Sequence, residues 1–415
     1  MKNLHTQTCT HVTDVRIKAC RKSKRRESLT ARVATAARAP RVSLLFTFGA
    51  RADVPEDAMA TTIGDNVVVI DQDDDFVKAG YPIPEREPLI APTLVRRVGD
   101  DGAPLRPVHE RRVVDWDQLE SVYAHIFYRQ LGWIEGDEGA ALVTEPILTS
   151  RADRDRLTQM MFESFNVAGL YIVEQPVAAL YGVGKTSGVA VDVGYAVTDV
   201  APVVDGAVVT PAAQRRRVGS SRVSAALREA LGDAAAKLSD ADVDAARDAV
   251  CVVAPARDGT RDGTQSPPPD TTFTLPDGNV LRVPGAARLA CGDAAFDPPG
   301  GGGGISDALV AAVEACTPDQ RRVCLDAVNV SGWWAGGAGR RAGAETRAMR
   351  DLEDALPPSQ KPIAAGAPEY MPEGAAMYPA WFGGAVLAKV VFAQQQHVSK
   401  IEYQENGPTA TTRGR

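Results

Sequence analysis

The chain has 415 residues, which at roughly 100–200 residues per domain allows two to four domains or lobes and a sizeable buried core. Its 44% hydrophobic and 24% charged residues make an ordinary folded composition, and a net charge of -7 argues against wholesale nucleic-acid binding. There is no uninterrupted apolar run of ~18–20 residues and the six cysteines form no CxxC pair, which disfavours a membrane span, a disulfide framework and a zinc site.

The charge is unevenly spread. Residues 1–58 hold 12 Lys/Arg and 5 Asp/Glu, a net of +7, so the remainder carries -14. This basic leader reads as disordered. Its only acids in the first 50 residues are Asp14 and Glu27, which suits an organellar transit peptide. Lys22-Ser23-Lys24-Arg25-Arg26 suits nuclear import or a nucleic-acid contact. A solvated tail, or translated sequence upstream of a start at Met59, fits as well.

Ordered structure is expected from Asn66. Val67-Val68-Val69-Ile70 is a β-branched apolar run, the pattern of a strand buried on both faces, and it ends at Asp71. Phe76 to Tyr81 predicts its hairpin partner. Over 116–131, Leu119, Val122, Tyr123 and Ile126 recur at helical spacing. Ala140-Ala141-Leu142-Val143 predicts a strand, a helix opens near Asp153, and Leu170-Tyr171-Ile172-Val173 is a strand again. Pro176 introduces a short helix. Gly188-Val189-Ala190-Val191 predicts another strand, ending at Asp192. Residues 222–250 are Ala-rich and helical. Loops are expected near 254–270 and 298–304, and a helix resumes at Ile305 with Ser306 and Asp307 in its N-cap region. This strand–helix alternation implies an α/β architecture.

Two strand–Asp–turn–strand units, at Asp71 and Asp192, match the actin/sugar-kinase/heat-shock-ATPase fold, in which paired hairpins clamp phosphates. Strand-end aspartates with no function remain the alternative on that pattern alone. Longer segments carry the resemblance further. Val113-Val114-Asp115-Trp116-Asp117 resembles the actin segment that leads into its first long helix. Leu157-Thr158-Gln159-Met160-Met161-Phe162 is similar to the next helix, and Glu174-Gln175-Pro176-Val177-Ala178-Ala179-Leu180-Tyr181 to the helix bearing actin's water-positioning glutamine. Met377-Tyr378-Pro379-Ala380-Trp381-Phe382-Gly383-Gly384 matches a C-terminal landmark. The order is co-linear over 66–408, and the chain is identified as a member of the actin family. Gln130-Leu131-Gly132-Trp133 and Ala367-Pro368-Glu369-Tyr370-Met371-Pro372-Glu373 resemble the plant class-seven branch of actin-related proteins.

The resemblance implies two lobes of duplicated ribonuclease-H-like subdomains, with a much reduced subdomain two in the 33 positions between Tyr81 and Asp115; actin-type filaments are not expected. It implies a domain over 59–408 and a C-terminal tail over 409–415. It also implies a nuclear scaffold subunit of a chromatin-remodelling complex. Such a subunit would dock on a helix of the remodelling ATPase and beside a second actin-like protein, with no membrane and no direct DNA contact by the acidic body. The alternative is a cytoplasmic, cytoskeletal actin-like protein with weak ATP binding or slow hydrolysis.

By the same resemblance, ATP or ADP would be held by Asp71, Lys78, Asp192, Gly194, Ser331 and Gly332. Mg²⁺ would sit on Asp71 and Asp192 through water. No catalytic residue is assigned beyond Gln175, for which a structural hydrogen bond is the plainer role. The loops depart from actin's. Asp71-Gln72-Asp73-Asp74-Asp75 lacks glycine and adds three carboxylates, each costing roughly 3 kcal/mol at ~5 Å from a phosphate charge at a dielectric of ~20. In the second loop Tyr195-Ala196 replaces Asp-Gly and Asp199 replaces a histidine. Trp333 and Trp334 follow Gly332, where small residues normally admit the nucleotide. Weakened or absent triphosphate binding is predicted.

Overall fold

The computed structural model describes Val42–Ser43 and residues 66–412, apart from 84–85, 94, 98–104, 256–266, 299–302, 333, 338–340, 367 and 370. The expected leader over 1–58 therefore lies, but for that two-residue strand, outside the described residues, as does Trp333.

Two central sheets repeat one design. In the first lobe, strand Val67–Gln72 pairs antiparallel with Phe76–Gly80 and parallel with Ala140–Glu145, which in turn pairs parallel with Gly169–Glu174. In the second, Gly188–Val193 pairs antiparallel with Thr198–Val204 and parallel with Val328–Ser331. Each lobe thus presents one hairpin whose first strand carries an aspartate one residue before its end, Asp71 or Asp192. The central strands are buried on both faces, as continuous Val/Ile/Ala runs require once helices cover a parallel sheet.

Local signals set the helix ends. Asp115 caps Trp116–His125 by accepting from Gln118 N, and Ser150 caps Arg151–Gln159 through Asp153 N. Both helices finish in a π-turn, at Ile126–Gln130 and Met160–Ser164. The first brings Phe127 flat onto Trp133, 4.3 Å between centroids. Ile305–Glu314 begins at the expected residue, with Asp307 in its first turn. Its N-cap is Gly304, while Ser306 sits inside the first turn and gives its hydroxyl to Asp351. The tail boundary moves. Gly407–Thr411 forms a 3₁₀ turn against Arg151–Gln159, with Thr411 and Thr158 hydroxyls 2.8 Å apart and Thr412 bonded to Asp155. The folded body thus runs past 408 to 412. Cys251, Cys291, Cys316 and Cys324 are buried free thiols. Among the described residues no helix is long and apolar enough to cross a membrane, and no group of three or more His, Cys, Asp or Glu is arranged to hold a metal.

Each lobe has its own core, and a third apolar cluster joins them at the base. It unites Val69 and Leu142 of the first sheet, Ala190 and Val203 of the second, and Val177 to Leu180 of the Gln175–Gly182 helix between them. Helix Pro379–Ala393 packs on that connecting helix through glycine. A Cβ on Gly383 would lie 1.6 Å from the Ala178 carbonyl oxygen, and one on Gly182 would lie 2.2 Å from that of Pro379. Trp381 of the same helix is buried and donates its indole N–H to Val69 O at 3.2 Å. Gly383→Ala should therefore push the helices apart and cost about 1–3 kcal/mol. Urea unfolding checks this; an unchanged midpoint would show that the glycine contact is dispensable.

Candidate functional site

The two hairpin tips face each other above the shared base, and most of the sequence-predicted site residues converge there. Asp71 is satisfied wholly within the first lobe. It accepts from Thr144 Oγ1 at 2.6 Å and Gln175 Nε2 at 3.0 Å, and pairs with Lys78 Nζ at 3.4 Å. Gln175 is fully engaged as well. Its Nε2 also donates to Gln72 O at 2.8 Å, and its Oε1 accepts from Arg111 at 2.9 Å. Ser331 stands beside Asp192 across the parallel pair, its hydroxyl bonded to Val191 O at 3.2 Å. Gly332 packs on the Val193 backbone at φ +114. Trp334 is fully buried in the second lobe's core, so it fills that lobe.

The residue at the centre carries no local sequence signal. Val108–His109 and Arg112–Val113 form a small hairpin whose two-residue turn is Glu110-Arg111, at φ +49 and +60. Two-residue turns favour positive φ at both positions, normally supplied by Asn or Gly. A non-glycine residue held there costs of order 1–3 kcal/mol. The turn aims the Arg111 side chain, 1% exposed, between the lobes. Its Nη1 donates to Asp192 Oδ2 at 2.7 Å and lies 3.7 Å from Asp199, and its Nε is 3.9 Å from Asp73. The guanidinium rests on Gly194, where a Cβ would meet Nη2 at 2.9 Å and Nε at 3.1 Å. Among the described residues Nε and Nη2 close no hydrogen bond, so ion pairing carries much of the contact. Behind Arg111 lies a cavity of about 60 Å³ that reaches Gln72, Tyr123 and Thr144.

The added carboxylates of the first loop are engaged rather than facing open space. Asp74 Oδ1 accepts from Arg111 N at 2.7 Å, and Asp73 Oδ1 accepts from Asp74 N at 2.7 Å. Asp75 pairs with Arg106, whose guanidinium lies 4.3 Å from the Tyr195 ring centroid across the cleft mouth. Arg215 holds Asp199 with two bonds of 2.7 Å and reaches across to Ile147 O at 3.0 Å.

Burial and pairing compete at each charge. Burial opposes ionisation of Asp73, but Arg111 and Lys78 outweigh it and hold this carboxyl below its ordinary range. Burial and the neighbouring Asp73 charge push Asp74 up, against the pull of Arg111 and of the Ala196 amide. Burial also raises Asp192 despite Arg111. Asp192, Asp73 and Asp199 carry Arg111 well above its ordinary value although burial opposes them.

The actin family profile matches residues 64–414. The chain belongs to the actin family. It is 36% identical over 365 residues to the Actin-related protein 7 of Arabidopsis thaliana, covering 83% of this chain and 98% of that protein. It is 37% identical over 361 residues to the Actin-related protein 7 of both Oryza sativa subspecies indica and japonica, covering 82% and 97%.

An actin fold implies a nucleotide with Mg²⁺ between its hairpins, and the residues here do not fit that group. Phosphate cradles need free backbone N–H donors. In the first loop Asp73 N is spent on Phe76 O at 2.9 Å and Asp74 N on Asp73. In the second, Gly194 N bonds Val197 O at 3.0 Å. Asp192, the expected partner of Mg²⁺, is bonded by Arg111. The repulsion foreseen for the loop carboxylates is thus met from within the chain.

The cleft mouth has a testable pH signature. Burial pushes Asp75 up to about 7, against the pull of Arg106. An unfolded aspartate titrates near ~3.9. Between about pH 4 and 7 the folded state holds a proton that the unfolded chain has released, so this contribution to stability is lost as pH rises through that window. Asp75→Asn should abolish the loss. Melting temperature of the wild type should fall relative to the variant from about pH 4 to 7, and parallel profiles would contradict the assignment.

Proposed function

We propose that the protein is a nuclear actin-related scaffold, a non-catalytic subunit of a chromatin-remodelling assembly that docks on a helix of the remodelling ATPase. The observation that carries the non-catalytic part is the Arg111 guanidinium lodged between Asp192 and Gln175, both of which an ATPase would need for Mg²⁺ and water. Phosphoryl transfer depends on metal-assisted charge neutralisation and a positioned nucleophile. Here Gln175 is locked to Asp71, Gln72 and Arg111. The similarity to Actin-related protein 7 along almost all of that protein's length supports a whole-protein likeness rather than a borrowed fold. The acidic body favours protein partners over direct wrapping of DNA, which needs clustered cations.

Two measurements test this. Isothermal titration with Mg²⁺-ATP and a phosphate-release assay should give no release above the protein-free rate; micromolar binding with turnover would sink the non-catalytic reading. Affinity capture of the full chain from nuclear extract should bring down a remodelling ATPase. Capture of microtubule-motor or other cytoskeletal components in its place would refute the nuclear assignment.

A further inference from the structure

We infer that Arg111, anchored through its backbone by Asp74, is a built-in cation that latches the two lobes together without needing a ligand between them. The inference is independent of which partner the protein binds. It begins with the anchor. Asp74, a buried carboxylate of the first hairpin, takes the Arg111 backbone N–H at 2.7 Å and so fixes the turn that carries the side chain. Arg111 supplies the cation. It lies among Asp73 of the first lobe and Asp192 and Asp199 of the second, so its charge is shared across the cleft.

Two features show that the geometry is built for this contact. Gly194 gives the guanidinium a bare face to rest on: a Cβ there would meet Nη2 at 2.9 Å as well as the Val197 carbonyl oxygen at 2.8 Å. The Glu110-Arg111 turn keeps two non-glycine residues at positive φ, although glycine would relieve the strain at either. An arginine retained in a strained turn is explained by what its side chain reaches. Three flanking contacts cross the same gap: Arg215 to Ile147 O, exposed Arg217 to Glu110, and Arg106 over Tyr195.

Arg111→Gly separates the two roles because it removes the strain and the guanidinium together. If Arg111 were only a turn residue, the substitution would raise the unfolding midpoint. As a latch, it should lower the midpoint. Amide exchange over 193–199 and 72–76 should rise at least ten-fold, while helices Trp116–His125 and Ile305–Glu314 keep their protection. A raised midpoint, or unchanged exchange at the hairpin tips, overturns the proposal. Should the glycine variant fail to fold, Arg111→Lys is read in the same way. It keeps the charge but loses the planar fork, so tip exchange should rise by a smaller factor, and wild-type exchange would overturn the latch. Millimolar Mg²⁺-ATP should leave the wild-type midpoint unmoved; a stabilising shift would show that the cleft still takes a ligand. Loss of the nuclear partner in the capture experiment would leave these exchange results standing.

Discussion

A charge taken out of water must find a counter-charge, and in this protein that requirement is concentrated on one side chain. Arg111 is almost fully buried between two lobes, with Asp73, Asp192 and Asp199 around it. Removing one member of a buried pair commonly costs ~3–5 kcal/mol because its partner is left unpaired. Here the partners belong to different lobes, so the electrostatic requirement is also a mechanical link. Lys78, Arg106 and Arg215 extend it by pairing with Asp71, Asp75 and Asp199. The mutual spacing of the two hairpins thus follows from charge pairing above and from the shared apolar cluster below.

The protein belongs to the actin family, and its cleft is crossed by contacts among the chain's own charges. The frame is retained: two sheets with hairpins carrying Asp71 and Asp192, a connecting helix over Gln175–Gly182, and glycine packing beneath it. What differs is the content of the gap. Backbone donors that could meet a phosphate are turned to internal partners, and the spare carboxylates are answered by the chain's own cations. A fold that closes around charged groups of its own can serve as a rigid docking body without a cycle of ligand binding and release, which is the property a scaffold needs.

Much of the fold was legible because it rests on short-range signals. The β-branched runs at Val67–Ile70 and Val189–Val191, the helical spacing through Leu119 and Ile126, and proline at the start of the Gln175 helix all report local physics. Both strand-end aspartates were found because they sit at fixed places in a strand–turn–strand pattern, and Lys78 and Gln175 through the resemblance to actin. Arg111 was missed for a physical reason. Its partner Asp192 lies 81 positions away, and nothing beside it marks a contact that only tertiary folding creates. A signal was present in the charge balance of the site. Three added aspartates, two of them buried, demand cations, and Arg106, Arg111 and Arg215 were the candidates. The partners of Ser306 and of the residues past 408 are tertiary too. Asp351 competes for the Ser306 hydroxyl, and Thr158 and Asp155 hold the chain end at Thr411 and Thr412.

The most direct test is a crystal structure of the full chain grown with millimolar Mg²⁺-ATP. The account predicts density for the Arg111 guanidinium against Gly194, bonded to Asp192, with Asp74 accepting from the Arg111 backbone N–H. A triphosphate and Mg²⁺ between the hairpins, with Arg111 displaced from Asp192, would contradict it.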